Sequence, residues 1–107
     1  MSRTPSQAAP IFAALGDPTR LRVVARLCRE GPLTITQLTQ GAAITRQAIT
    51  KHMRVLADAG LTRDHRHGRE RLFELEPKRL QIAQAYLDQI SGQWDAAIAR
   101  LKAFVEE

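Results

Sequence analysis

The sequence predicts a mainly α-helical fold with one β-hairpin and a long C-terminal helix. Apolar residues recur at helical spacing through the first 60 residues and again after Pro77, whereas their period shortens toward two over residues 61–76. A chain of 107 residues is also the usual size of one folding unit. We therefore expect a single domain that spans residues 1–107.

The first two helices are predicted from the residues between them. Gly16 can end a helix in the left-handed conformation, Asp17 can cap the next helix, and Pro18 suits a first helical turn. These signals place helices over residues 6–15 and 18–29. The apolar stripe that the second helix should bury consists of Leu21, Val24, Leu27 and Cys28.

Residues 34–60 are predicted to form a helix-turn-helix. Thr34 and Gln37 have the spacing of a capping box, and this short helix should end at Gly41. Thr45 is the expected N-cap of a second helix, which continues to the glycine at the end of the segment. The core face of this second helix should be Ile49, Met53 and Leu56.

A β-hairpin is predicted over residues 61–76. Strands at 61–66 and 70–75 would flank His67 and Gly68, where glycine can supply the positive φ of a tight turn. A hairpin that directly follows a helix-turn-helix makes the predicted fold a winged helix-turn-helix, with the hairpin as its wing.

The last predicted helix covers residues 77–106 and has an apolar seam at alternating spacings of three and four. Ser91 and Gly92 should interrupt or bend it. Such a seam packs lengthwise on another helix, so we expect a homodimer formed by helices 6–15 and 77–106. The predicted interface residues are Ile11, Phe12, Leu80, Leu87, Ile90, Trp94, Leu101 and Phe104.

Positive charge is concentrated in one quarter of the chain. The whole chain has a formal charge of +5 and a pI near 10.3, and residues 45–71 contribute seven basic and three acidic side chains, a net +4. All three histidines lie in the same stretch. A local basic patch favours an acidic partner such as nucleic acid.

The helix after Thr45 has the side chains of a DNA-recognition helix. Opposite its core face lies a polar stripe at i, i+3, i+4 and i+7, here called the recognition face: Gln47, Thr50, Lys51 and Arg54. Arg46 can pair bidentately with guanine and Gln47 with adenine, while Thr50 and Lys51 suit phosphates or less specific base edges. The alternative is that these residues are only the solvated face of a surface helix. The capped helix before them and the basic hairpin after them disfavour that interpretation. We predict DNA contacts from Thr45, Arg46, Gln47, Thr50, Lys51 and Arg54.

The wing should also contact DNA. A thin basic hairpin can follow phosphates or insert an arginine into a narrow minor groove. An edge strand that avoids aggregation explains one or two arginines but not four. The predicted contacts are Arg63, Arg66, His67, Arg69 and Arg71.

Three segments together resemble the ArsR family of winged helix-turn-helix repressors. They are GDPTRL at residues 16–21, TRQAITKHMRVLADAGL at 45–61 and GRE at 68–70. The resemblance extends over residues 10–105. It implies a homodimer that pairs through its first and last helices and represses by occupying an operator in double-stranded DNA. The residues alone leave activation open, and they identify neither an operator nor an effector.

The sequence departs from the metal-sensing members of that family. Those members have a cysteine pair on the helix corresponding to residues 35–40, or acidic and histidine ligands on the last helix. Here residues 35–40 are ITQLTQ, and the last helix has no histidine. His65 and His67 could share one side of a strand, but no third protein ligand is evident. We expect no metal and no cofactor.

Other functional classes are disfavoured by the same residues. The acidic residues are scattered and the histidines fall in the basic stretch, so no catalytic group is evident. A winged-helix module that binds protein or RNA is the main alternative. Cys28, the one cysteine, excludes an intrachain disulfide and should be a buried core thiol rather than a redox switch. The chain has no membrane-length apolar run and no apolar stretch after Arg3 typical of a secretion signal, so we expect it in the cytoplasm.

Overall fold

The computed structural model describes residues 5–106 of the chain. These residues form five helices and one antiparallel hairpin, which confirms the predicted fold class. Residues 1–4, including Arg3, and residue 107 lie outside the described part. The elements in order are α1 (Pro5–Leu15), α2 (Pro18–Glu30), α3 (Ile35–Thr39), α4 (Arg46–Asp58), β1 (Thr62–His67), β2 (Glu70–Leu75) and α5 (Pro77–Glu106).

The helix starts agree with the capping residues that the sequence predicts. The Asp17 carboxylate accepts a hydrogen bond from the Arg20 backbone N–H at 3.0 Å. Thr34 and Gln37 form the complete capping box, with both reciprocal hydrogen bonds present. Thr45 accepts from the backbone N–H of Ala48 at 3.1 Å. Each side chain satisfies a backbone donor that the first turn of a helix leaves unpaired.

The core lies where α1 to α4 meet the base of the wing. Its fully buried large side chains are Ile11, Leu38, Ile49, Leu56 and Leu61. The predicted core face of α4 is confirmed, because Ile49, Met53 and Leu56 are all buried. Burial of this face leaves the opposite side of α4 in solvent.

The predicted buried stripe of α2 is wrong at two of its four positions. Leu21 is 51% exposed and Cys28 is also exposed, whereas Val23 and Leu27 are buried. The apolar residues of α2 fit two helical faces: the predicted one, which includes Val24 and Leu27, and a second one, which includes Val23 and Leu27. Val23 and Leu27 are one turn apart on the side that faces α4, and so Leu21 and Cys28 lie outside the core.

The wing is anchored by a contact that the sequence does not reveal. Leu33 and Phe73 form an isolated antiparallel bridge, with N···O distances of 3.0 and 2.8 Å. The hairpin turn lies at Gly68 and Arg69, one residue later than predicted, because His67 pairs with Glu70. Gly68 has a φ of +66°, the conformation that favours glycine in a tight turn.

Helix α5 continues without interruption through Ser91 and Gly92, so the predicted break is wrong. One interior glycine costs a helix only about 1 kcal/mol, which thirty hydrogen-bonded residues tolerate. The N-terminal part of α5 packs on α1, where the rings of Phe12 and Tyr86 lie 6.1 Å apart. Residues 91–106 are exposed along their whole length.

Candidate nucleic-acid interface

The recognition face lies in solvent on the side of α4 opposite its buried residues. Gln47, Thr50, Lys51 and Arg54 are all exposed and, with Arg46, line one shallow depression. The structure therefore brings these predicted residues together. No acidic side chain lines this depression. A surface of this kind is suited to the negative potential of a DNA groove.

Two threonines of the interface already use part of their hydrogen-bonding capacity. Thr45 accepts the capping bond from Ala48, and the Thr50 hydroxyl donates to the backbone carbonyl of Arg46 at 2.9 Å. A hydroxyl has one proton to donate and two lone pairs. With its proton engaged, Thr50 can accept a hydrogen bond but has none to donate to a phosphate.

Arg46 borders the recognition face, but its guanidinium is held toward α3. Its Nη1 donates to the Thr36 hydroxyl of α3 at 3.1 Å. Arg46 also lines a cleft of about 460 Å³ between α3 and the wing, together with Arg69 and Arg71. This arrangement brings three arginines from distant parts of the sequence into one cleft, which Glu70 also lines.

The arginines of the wing divide into two groups. Arg63 forms ion pairs with Glu74 and Glu76 at 3.0 Å each, and Arg71 pairs with Asp64 at 3.0 Å. The remaining basic residues of the wing form no ion pair with any residue in 5–106: Arg66, His67 and Arg69. Two of the four arginines therefore have the cross-strand partners of an ordinary charged edge, and two remain available for an external anion.

Arg26 of α2, which the sequence analysis did not predict as a functional residue, stabilises the helix-turn-helix. Arg26 donates from Nη1 to the backbone carbonyl of Gln37 at 3.0 Å, and from Nε to Glu30 at 2.8 Å. That side-chain hydrogen bond holds the pKa of the Glu30 carboxyl below its ordinary value. Arg26 thus stabilises the end of α3, whose last carbonyls have no helical partner.

The histidines occupy three different environments. His52 is partly buried beside α2, with its Nδ1 3.1 Å from Nη1 of Arg20, so it does not share the recognition face. His65 has its Nδ1 3.7 Å from a carboxylate oxygen of Glu74, and His67 is exposed. Within residues 5–106, no three His, Cys, Asp or Glu side chains lie close enough together to hold a metal ion.

The apolar seam of α5 has two parts with different surroundings. Ala83 is buried and Leu80 is partly buried against the core of the same chain. Beyond Tyr86 lies the exposed part, here called the distal seam: Leu87, Ile90, Trp94, Ile98, Leu101, Phe104 and Val105. Trp94 is 67% exposed and Phe104 78%, while Ile98 and Val105 extend the predicted set.

Ile11 does not face outward as predicted. It is 1% exposed because it packs in the core of its own chain, whereas Phe12 beside it is only partly buried. No helix in the described part of the chain is both long enough and apolar enough to cross a membrane.

A helix-turn-helix with an exposed polar second helix, followed directly by a β-hairpin, defines the winged helix-turn-helix class of DNA-binding proteins. Residues 15–65 match a family described as a helix-turn-helix domain. The chain belongs to the ArsR family of winged helix-turn-helix transcriptional regulators, as its relatives show.

Two curated relatives are HTH-type transcriptional regulators, and a solved structure is ArsR-like. The chain is 44% identical over 75 residues to YuzN, an uncharacterised HTH-type transcriptional regulator of Bacillus subtilis, covering 63% of this chain and 82% of that protein. It is 33% identical over 96 residues to the HTH-type transcriptional regulator Rv2034 of Mycobacterium tuberculosis, covering 90% and 83%. Among solved structures, an ArsR-like transcriptional regulator from Rhodococcus sp. RHA1 superposes with a TM-score of 0.78 at 30% identity, covering 92% of both chains.

Proposed function

We propose that this regulator is a repressor that binds an imperfect palindromic operator as a homodimer, with one α4 in each of two major grooves. The observation that carries the proposal is the recognition face itself. Its four polar side chains are exposed opposite a fully buried apolar face, and the wing beside it has unpaired arginines. A polar helix face of this kind enters the major groove in known helix-turn-helix complexes.

Base reading is assigned chiefly to Gln47, with support from Thr50. Gln47 can pair bidentately with adenine, and Thr50 can accept from an exocyclic amino group. Lys51 and Arg54 contact phosphates. Arg46 is assigned to a phosphate rather than to guanine, because its guanidinium is tied to Thr36 beside Arg69 and Arg71. The DNA backbone would then pass through the cleft between α3 and the wing.

Homodimer formation is assigned to the distal seam. Several large apolar side chains project there without a partner in the described chain, and burial is worth about 25 cal/mol per Å² of apolar surface. A two-fold interface uses the same patch on both subunits, so one seam supplies both sides.

The remaining assignments follow from this function. We infer a single domain over residues 1–107 that acts in the cytoplasm, without catalysis, metal or cofactor. Support comes from the family, from the continuous core shared by α1 to α5, and from the residue types at the positions of the family's metal ligands.

Selection of bound fragments from the source genome tests the proposal. We expect enrichment of fragments with a common imperfect palindrome, and competition by double-stranded DNA that contains it. Enrichment without any shared motif would contradict sequence-specific repression. Stronger competition by RNA than by duplex DNA would instead favour the protein- or RNA-binding alternative.

A further inference from the structure

The motif at residues 16–21 lies away from the recognition face, at a junction of three helices. Asp17 caps α2 by accepting from the Arg20 backbone N–H. The Arg20 side chain donates from Nε to the carbonyl of Ala14, in the last turn of α1, at 2.6 Å. Its Nη1 lies 3.1 Å from Nδ1 of His52 in α4. Arg20 thus connects α1, α2 and α4.

The chemistry of the two side chains fixes the direction of this last hydrogen bond. A guanidinium can only donate, so His52 Nδ1 must accept, and the ring proton then resides on Nε2. Asp17 lies beside the pair, with one carboxylate oxygen 3.9 Å from the same nitrogen, too far for a hydrogen bond to it. The backbone hydrogen bond from Arg20 holds the pKa of Asp17 below its ordinary value, which keeps this carboxylate ionised.

His52 is well placed to control the rotation of α4 about its axis. At about 100° per residue, it lies at the edge of the core face formed by Ile49 and Met53, away from Gln47. Packing of Ile49 and Met53 limits how far α4 can turn, and the directional hydrogen bond of His52 selects the orientation within that range. A rotation of about 10° would displace a side chain roughly 6 Å from the helix axis by about 1 Å. That displacement is enough to impair a bidentate base contact, while a phosphate contact made by a long side chain tolerates it.

The other end of the junction leads to the dimerisation helix. Ala14 and Phe12 belong to the same helix, and the Phe12 ring packs on Tyr86 of α5. Contacts therefore continue from α5 through α1 and Arg20 to α4. In a homodimer, this series fixes each recognition helix relative to the two-fold scaffold.

We infer that Arg20 and His52 are positioning residues that set the orientation of the recognition helix and thereby the regulator's sequence specificity. This inference rests on the proposed operator binding. The inference predicts that loss of either side chain lowers sequence specificity, while non-specific DNA binding and dimer formation persist. Damage to the fold would instead lower all three.

Four variants test this inference. His52→Leu removes the acceptor, and Arg20→Gln removes the bridging guanidinium. His52→Asn is the conservative control, because its side-chain oxygen can occupy the position of Nδ1. Arg29→Gln is the matched control for Arg20→Gln, because it removes one exposed positive charge from the same helix, outside the junction. Affinities for the selected operator and for random-sequence duplex are measured at one salt concentration, with circular dichroism and sedimentation as checks on fold and dimer.

We expect His52→Leu and Arg20→Gln to lower the ratio of operator to random-sequence affinity about tenfold, equivalent to the loss of one good base contact. Their random-sequence affinity should stay within about twofold of that of Arg29→Gln, since the phosphate contacts are retained. His52→Asn should restore most of the ratio. If His52→Leu does not fold, Arg20→Lys, which keeps the charge but cannot bridge both acceptors, should lower the ratio instead.

Two results would overturn the inference. One is an unchanged ratio in a folded, dimeric His52→Leu or Arg20→Lys protein. The other is an equal effect of Arg20→Gln and Arg29→Gln on both affinities, which would reduce the role of Arg20 to its charge. A wild-type protein with no preference for any selected fragment would contradict the proposed function itself, and this inference with it.

Discussion

Helices α4 and α5 both expose one face, but the two faces have opposite chemistry. The recognition face of α4 is polar and exposed, so contact with water carries no penalty when DNA is absent. The distal seam of α5 exposes tryptophan, phenylalanine and aliphatic side chains over residues 87–105. Contiguous apolar surface of this kind marks an interaction site, and in this family we expect a second copy of the chain to cover it. The difference indicates that the two faces suit different partners: a polar face suits nucleic acid, and an apolar face suits another protein surface.

The largest effect should follow truncation of the distal seam. Trp94→Ala should destabilise the dimer by about 3–5 kcal/mol if the ring is buried between the subunits, since a large buried side chain is lost. Operator affinity should fall with it, although Trp94 lies far along α5 from the recognition face. Sedimentation equilibrium measures the change, and Gln93→Ala, an exposed polar neighbour, is the matched control. If Trp94→Ala leaves the dimer unchanged, the assignment of the distal seam to dimer formation is wrong.

Truncation on α4 should change DNA binding without affecting the dimer. Gln47→Ala should cost about 1–3 kcal/mol of discrimination at one base pair and relax specificity there. Lys51→Ala should instead weaken binding to all sequences and reduce the salt slope by roughly 0.9 for each subunit bound. Titrations with the operator and its single-base variants at several salt concentrations distinguish the two. If both variants lose the same affinity for every sequence, the assignment of Gln47 to a base is wrong.

A smaller effect should separate the two groups of wing arginines. Arg69→Ala should reduce the salt slope of DNA binding by about 0.9 for each subunit bound, because its guanidinium is available for a phosphate. Arg63→Ala should leave the slope nearly unchanged, since Arg63 is paired with Glu74 and Glu76. Its cost to folding stability should be below about 1 kcal/mol, as for other exposed ion pairs. Equal slopes for the two variants would mean that DNA displaces these ion pairs.

No effect is expected from divalent metals. Zinc, cadmium or cobalt at stoichiometric concentration should leave operator affinity constant, because residues 35–40 lack thiolates and α5 lacks histidine. Fluorescence anisotropy of a labelled operator measures this directly. A loss of operator affinity on adding stoichiometric metal would contradict the conclusion drawn from these missing ligands.

Local signals were predictable from the sequence, and long-range pairing was not. The caps at Asp17, Thr34 and Thr45 depend on residues at most three positions apart, and all three predictions are confirmed. The buried stripe of α2 was predicted wrongly because its apolar pattern fits two faces, and only packing on the rest of the core selects one. That selection also exposes Cys28.

The same limit applies to the candidate interface. Helical spacing identified the exposed face of α4, because one periodic pattern determines which residues share it. The ion pair between Arg63 and Glu74 depends on the strand register. The contact between Arg46 and Thr36 depends on the angle between α3 and α4. Neither quantity follows from residue spacing along one element.

The most direct test of the account is a footprint of the purified protein on a selected operator, with the stoichiometry measured in the same titration. A homodimer with one α4 in each major groove predicts two protected half-sites centred about 10 base pairs, roughly 34 Å, apart, filled together by two subunits. Protection of a single half-site by one subunit, at the full affinity of the intact operator, would contradict it.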